Sequence, residues 1–142
     1  MRILIIVAMF ALCNAAQAKD FTKEILGKWQ SDEMKTLEDI NKHSEIPAAV
    51  LANYNNNYYG RLRLIIQKER SAAYFPDQAL KEPIKFGEHK FVKQGENFLD
   101  ISFYDEVTKK QDVIRWYFEG DYIYTIVSQW QFREYYKKLD WN

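Results

Sequence analysis

The 142 residues contain one cysteine, Cys13, together with two histidines, three prolines and five glycines. Cysteine this scarce excludes a disulfide framework and a thiolate metal site. A glycine-rich phosphate loop cannot be built from five scattered glycines, and no Gly-x-Ser-x-Gly elbow is present. The histidines, His43 and His89, lie far apart, and neither has a partner at metal-binding spacing such as His-x-x-x-His. A surplus of charge is missing too, with 20 basic and 20 acidic residues. Neutralising phosphates needs a basic excess, so nucleic acid is excluded as a partner. The longest apolar run, Ile3–Cys13, falls short of the roughly 20 residues that a membrane-crossing helix requires, and no later run is longer.

That run has another use. Met1-Arg2 gives a charged start, Ile3–Cys13 an apolar centre, and Ala16-Gln17-Ala18 a small-residue ending, which together read as a secretory signal peptide cut after Ala18. Leu12, directly before Cys13, departs from the pattern of lipid-modified cysteines. The remaining chain, residues 19–142, is expected to form a single domain placed in the periplasm, with secretion as the alternative. It is long enough to bury one core without staples.

Aromatic residues are plentiful: nine Phe, four Trp and ten Tyr, densest from Phe98 onward. Aromatic and β-branched enrichment favours strands. A first strand is read at Ile25–Ser31. From Thr36 the period changes, with apolar residues at Leu37, Ile40, Pro47, Val50, Leu51, Tyr54 and Tyr58, the three-and-four spacing of an amphipathic helix. Thr36 and Asp39 resemble a capping box. Pro47 divides the segment into Leu37–Lys42 and Pro47–Asn55. After Gly60 alternation takes over: Arg61–Gln67, Ser71–Phe75, Ile84–Val92, Asn97–Tyr104, Asp112–Phe118, Tyr122–Val127 and Gln131–Lys137. Glu119-Gly120-Asp121 marks a hairpin. The expected fold is mainly β, an eight-stranded antiparallel meander closed into a barrel, with a broken helical insertion after the first strand. An open sheet wrapped around the helix is the alternative.

Gly27-Lys28-Trp29 on the first strand resembles the Gly-x-Trp signature of lipocalins, and eight meandering strands after a secretory signal fit that family. The chain resembles a small bacterial lipocalin-like protein rather than a full-length one, since its helix follows the first strand and a disulfide is lacking. The resemblance implies a non-enzymatic binding barrel, with an arginine of the last strand, here Arg133, covering Trp29.

Catalytic constellations are hard to assemble. Glu33, Glu38 and Asp39 suit a helix start, and Asp105-Glu106 a turn, better than a glycosidase pair. The chain is read as no enzyme, without cofactor or metal. What stands out is Arg115-Trp116-Tyr117-Phe118, Tyr122–Ile126, Trp130 and Phe132, where both strand faces are apolar or aromatic. Parity groups Ile114, Trp116 and Phe118 against Val113, Arg115 and Tyr117, and Tyr122 and Tyr124 against Ile123 and Thr125. An eight-stranded barrel either fills its interior or holds one small ligand. Trp116, Arg115, Tyr117, Tyr122, Tyr124 and Phe132 are the candidate ligand-binding residues. Arg115 inside would anchor a carboxylate-bearing lipid; outside, it would lie over Tyr117 or Tyr124 in a cation–π contact. Two functions follow. One is a barrel holding a small apolar or amphipathic ligand. The other is an envelope protein-interaction module with a filled barrel and an exposed aromatic face or Tyr54–Tyr59 patch.

Overall fold

The computed structural model describes residues 18–43, 45–55, 59–127 and 129–140, with side chains left out for 53–55. The expected leader with Cys13, and the side chains of Tyr54 and Tyr58, lie outside the described residues.

Alternation of apolar and polar side chains produces eight strands: β1 (Gly27–Ser31), β2 (Arg63–Ile66), β3 (Arg70–Tyr74), β4 (Gly87–Gln94), β5 (Phe98–Asp105), β6 (Lys110–Glu119), β7 (Tyr122–Ile126) and β8 (Arg133–Lys138). Each pairs antiparallel with the next, and β8 returns to β1 to close a barrel. Registers such as Trp29↔Leu64, Leu99↔Trp116 and Ile123↔Tyr136 send one set of side chains inward. Trp29, Leu64, Ile66, Leu99, Ile101, Trp116, Ile123 and Tyr136 form the buried core. Each such side chain contributes roughly 1.5–3 kcal/mol through its removal from water.

One end of the barrel is stoppered. A one-turn helix, α1 (Phe21–Glu24), is capped by Asp20, whose side chain accepts from the Thr22 N–H. Phe21 stacks on Phe118 with ring centroids 4.2 Å apart, and its N–H donates to Gln94 Oε1 at 3.0 Å. Beneath it Trp29 donates from Nε1 to the Ile25 carbonyl at 2.8 Å. The cation over Trp29 is Lys138, its Nζ 5.1 Å from the ring centroid, not Arg133. Arg133 starts β8 at the opposite end, paired with Ile126.

Two helices follow β1, α2 (Glu33–Ile40) and α3 (Ala48–Asn55), the latter beginning just after Pro47 as expected. The cap of α2 is Asp32, which accepts from the Lys35 N–H at 2.9 Å, and not Thr36. Thr36 and Asp39 are used elsewhere. β1 pairs with β8 only from Tyr136 to Lys138, leaving the edge of β8 open above. There the Asp32 N–H donates to the Tyr135 carbonyl (2.8 Å), the Tyr135 N–H to Thr36 Oγ1 (3.0 Å), and the Arg133 N–H to Asp39 Oδ2 (2.7 Å). A helix thus completes a strand edge, which would otherwise present unpaired groups. A second apolar cluster, Ile40, Ile46, Tyr59 and Phe132, ties the helical segment to the β7–β8 connection.

The strands differ from expectation mainly between β3 and β5. A one-turn helix, α4 (Pro76–Ala79), occupies a stretch read as a turn, and β4 begins three residues later than Ile84 and runs on to Gln94. A bulge between Phe91 and Lys93 breaks the alternation that would have located it. β3 and β4 share only two residue pairs, Arg70↔Glu88 and Ser71↔Gly87, the shortest seam in the barrel. Among the described residues, no helix is long and apolar enough to cross a membrane.

Candidate functional site

Inside the barrel an apolar cavity of about 220 Å³ lies between β2, β3, β5 and β6. Leu64, Ile66, Ile101, Phe103, Ile114 and Trp116 line it, with Ser71, Ala72 and Ala73 at its β3 side. Ala73 pairs with inward-facing Leu64 yet stays exposed, so the cavity opens beside β3, where the seam to β4 is short. Small side chains on β3 leave this space; large ones on the facing strands shape it.

Of the six candidate residues, Trp116 alone lines this cavity. It is buried and meets Tyr136 edge-on, with ring centroids 5.4 Å apart. The Tyr136 hydroxyl donates to Glu134 Oε1 at 2.6 Å. Glu134 is itself buried on the inner face of β8, and burial raises its carboxyl pKa above the usual value.

Arg115, Tyr117, Tyr122 and Tyr124 are on the outer face, as their parity requires, and form a ladder with Phe98 and Tyr135. Tyr117 stacks on Tyr124 with centroids 4.9 Å apart, and Tyr124 meets Tyr135 at 5.1 Å. Tyr122 contacts Tyr135 edge-on at 6.1 Å, and Phe98 approaches Tyr117 at 6.3 Å. Cations cover the rings. Arg133 lies 4.9 Å above Tyr124, and Lys35 of α2 sits 4.4 Å from Tyr122 and 4.7 Å from Tyr135. Glu119 binds this cover together, 2.9 Å from Lys35 Nζ and 3.6 Å from Arg133 Nη1. Its bond to Lys35 raises the lysine pKa. Tyr124 and Tyr135 are buried as a result, and burial raises the Tyr124 phenol pKa.

Arg115 lies over Phe98, 3.8 Å from the ring centroid, rather than over Tyr117 or Tyr124. It also donates twice to Asp100, from Nε at 2.7 Å and Nη2 at 2.8 Å. That bond holds the Asp100 carboxyl below its ordinary pKa. Arg115 is therefore spent outside the barrel and supplies no charge to the cavity. Phe132 is fully buried in the helical cluster, against Tyr59 at 6.5 Å. Sequence parity separated these faces correctly; what it lacked was a rule for which face carried a cavity.

His43 sits past the end of α2, 3.3 Å from Glu45 and 3.7 Å from Asp39. His89, within the strand expected at Ile84–Val92, is buried in β4 opposite Phe103, on the barrel's inner face. A polar groove of about 790 Å³ reaches His89, bounded by Glu69, Arg70, Glu88 and Lys90 and sharing Phe103 with the apolar cavity. Among the described residues, no three His, Cys, Asp or Glu side chains gather to hold a metal ion.

The closed meander of eight strands is compatible with a lipocalin-like architecture. Compared with protein-family models, curated proteins and solved structures, the chain matches none.

Proposed function

We propose that the chain is a non-enzymatic binding module of the bacterial envelope that holds one small apolar or amphipathic ligand inside its barrel. The observation that carries this reading is the apolar cavity beside the β3–β4 seam, with Trp116 in its wall. At about 220 Å³ it is smaller than the ~300 Å³ at which drug-sized pockets begin, and larger than the ~150 Å³ that takes up benzene. The ligand is accordingly a single small ring or a short acyl chain. Of the two patches that a protein-interaction module could use, the outer aromatic face is covered by Lys35 and Arg133. The charged, apolar and small-residue sequence of the leader supports export, with the periplasm as destination.

Toluene titrated into the protein tests the reading, with methyl resonances of Ile101 and Ile114 followed by NMR. Saturable shifts are expected in the natural chain and none in Ala73→Phe, whose ring would fill the mouth. Absence of any shift in the natural chain overturns it. Native mass spectrometry of protein purified gently from its own envelope then shows the added mass of the ligand.

A further inference from the structure

The barrel interior holds few polar side chains, and nearly all are matched. Ser31 Oγ accepts from the Gly60 N–H at 3.1 Å, and Tyr136 and Glu134 bond to each other. His89 is different. It is 4% exposed, and both Nδ1 and Nε2 lack a hydrogen-bond partner, the only buried side-chain nitrogens or oxygens of which this is true among the described residues. A buried polar group normally has a partner, and one without calls for an explanation.

His89 stands at the shortest seam of the barrel. Two residue pairs join β3 to β4, and the His89 N–H adds one bond, to the Glu69 carbonyl at 2.9 Å. Its ring lies 5.2 Å from Phe91, with Phe103 opposite across the β4–β5 ladder. Charged side chains surround the seam without serving the ring. Lys68, Glu69 and Arg70 on the β3 side, and Glu88 and Lys90 on β4, are all exposed, and Arg70 is turned onto Phe86, 4.8 Å from its centroid. On β5 the neighbours are Ser102, Phe103 and Tyr104, none of them charged. No carboxylate bonds to the imidazole.

We propose that the β3–β4 seam is a proton-operated gate, held shut by neutral His89 and opened when that imidazole gains a proton. A charged ring in this position would have two N–H donors among phenylalanines and no acceptor, which is costly. The nearest help is the β2–β3 turn, whose Gln67 and Lys68 carbonyls favour the charged ring, but burial prevails and holds the pKa below the ordinary imidazole value. Drawing that turn onto the ring, or admitting water to it, breaks the bond from the His89 N–H to Glu69. The closed seam therefore binds fewer protons than the open one. Its stability is complete above about pH 6.5 and falls as pH drops below that value. The chamber opens beside this seam at Ala73, so acid also speeds its emptying, a consequence that rests on the binding reading above.

Amide hydrogen exchange tests the gate in the natural chain, His89→Leu and His89→Gln, with the His89 ring followed by its ¹⁵N resonances. Between about pH 7.5 and 5.5 the opening constant read at the Ser71, Gly87 and His89 amides, corrected for intrinsic exchange, is expected to rise several-fold, with about ten-fold the ceiling for a single proton. Amides along β5 and β6, such as Leu99 and Trp116, are expected to hold steady, and both variants to show no such rise. Bound toluene, read at the Ile101 and Ile114 methyls, is expected to leave faster in acid from the natural chain alone. A ring that titrates at or above the ordinary imidazole value, or a seam that opens equally in the variants, overturns the gate. If the seam opens as expected but toluene binds at neither pH, the gate stands and the cavity reading falls. If toluene binds and its release ignores the seam, the gate is overturned as the route of release. Should His89→Leu fail to fold, His89→Gln and the ring titration of the natural chain still decide.

Discussion

Lys138 lies over Trp29, its Nζ 5.1 Å from the ring centroid and 2.8 Å from the Glu24 carbonyl, so one lysine joins the last strand, the first strand and the N-terminal helix. Trp29→Ala should destabilise the protein by about 3–5 kcal/mol, since a buried ring leaves a cavity behind. Lys138→Met keeps the aliphatic stem and loses the cation and its hydrogen bond, so its loss should be near 1 kcal/mol. Urea unfolding followed by Trp fluorescence measures both.

Thr36 is fully buried and accepts the Tyr135 N–H at the uncovered edge of β8. Thr36→Val keeps the shape but orphans that N–H, and should lose about 1–3 kcal/mol, whereas Thr36→Ser should retain most of the stability. Hydrogen exchange at the Tyr135 amide would accelerate in the valine variant before the rest of β8. Equal stabilities for the two variants would show that packing, not the hydrogen bond, is what α2 supplies there.

Glu134 makes stability depend on pH in a defined direction. Burial raises its pKa in the folded chain above the unfolded value, with the Tyr136 hydroxyl opposing. The folded state therefore binds the extra proton, and this group's contribution is complete below about pH 4.5 and lost as pH rises through the folded pKa. Glu134→Gln should melt higher than the natural chain at pH 7 and show no advantage near pH 4. A lower melting temperature at pH 7 would mean that the bond from the Tyr136 hydroxyl to the carboxylate outweighs the cost of burying it.

Asp100 works in the opposite sense. Its bonds to Arg115 lower the folded pKa, so the pair stabilises above about pH 3.8 and the contribution disappears as pH falls through the depressed value. Asp100→Asn should melt below the natural chain at pH 7, and the two should converge in strong acid. Added salt should narrow the gap at pH 7 only partly, because Asp100 is buried and bonded directly to Arg115 at two points.

The barrel was legible because period-two alternation is strong in β5, β6 and β7, where Leu99, Ile101, Trp116 and Ile123 all point inward. The short helices were not. Phe21–Glu24 and Pro76–Ala79 span one turn each, too brief for a 3.6-residue period to register. Thr36 and Asp39 have the spacing of a cap, but a cap and a strand-edge acceptor need the same oxygen atoms, and only the tertiary position of β8 decides between them. His89 escaped notice for a related reason. Flanked by Glu88 and Lys90 it looks solvated, and the alternation that turns those two outward is what turns His89 in. The cavity itself arises from small residues, Ser71, Ala72 and Ala73, facing large ones. That is a matching of strands, which no single stretch of sequence displays.

The stopper formed by Phe21, Ile25 and Trp29 makes the barrel a cul-de-sac. Whatever occupies the chamber beside Ala73 must leave by the route it took in, because the far end is sealed by stacked rings and hydrogen-bonded backbone. A second molecule cannot push the first through. If the barrel holds a ligand as proposed, exchange would proceed by emptying before refilling, and the rate of release should be independent of how much competitor waits outside.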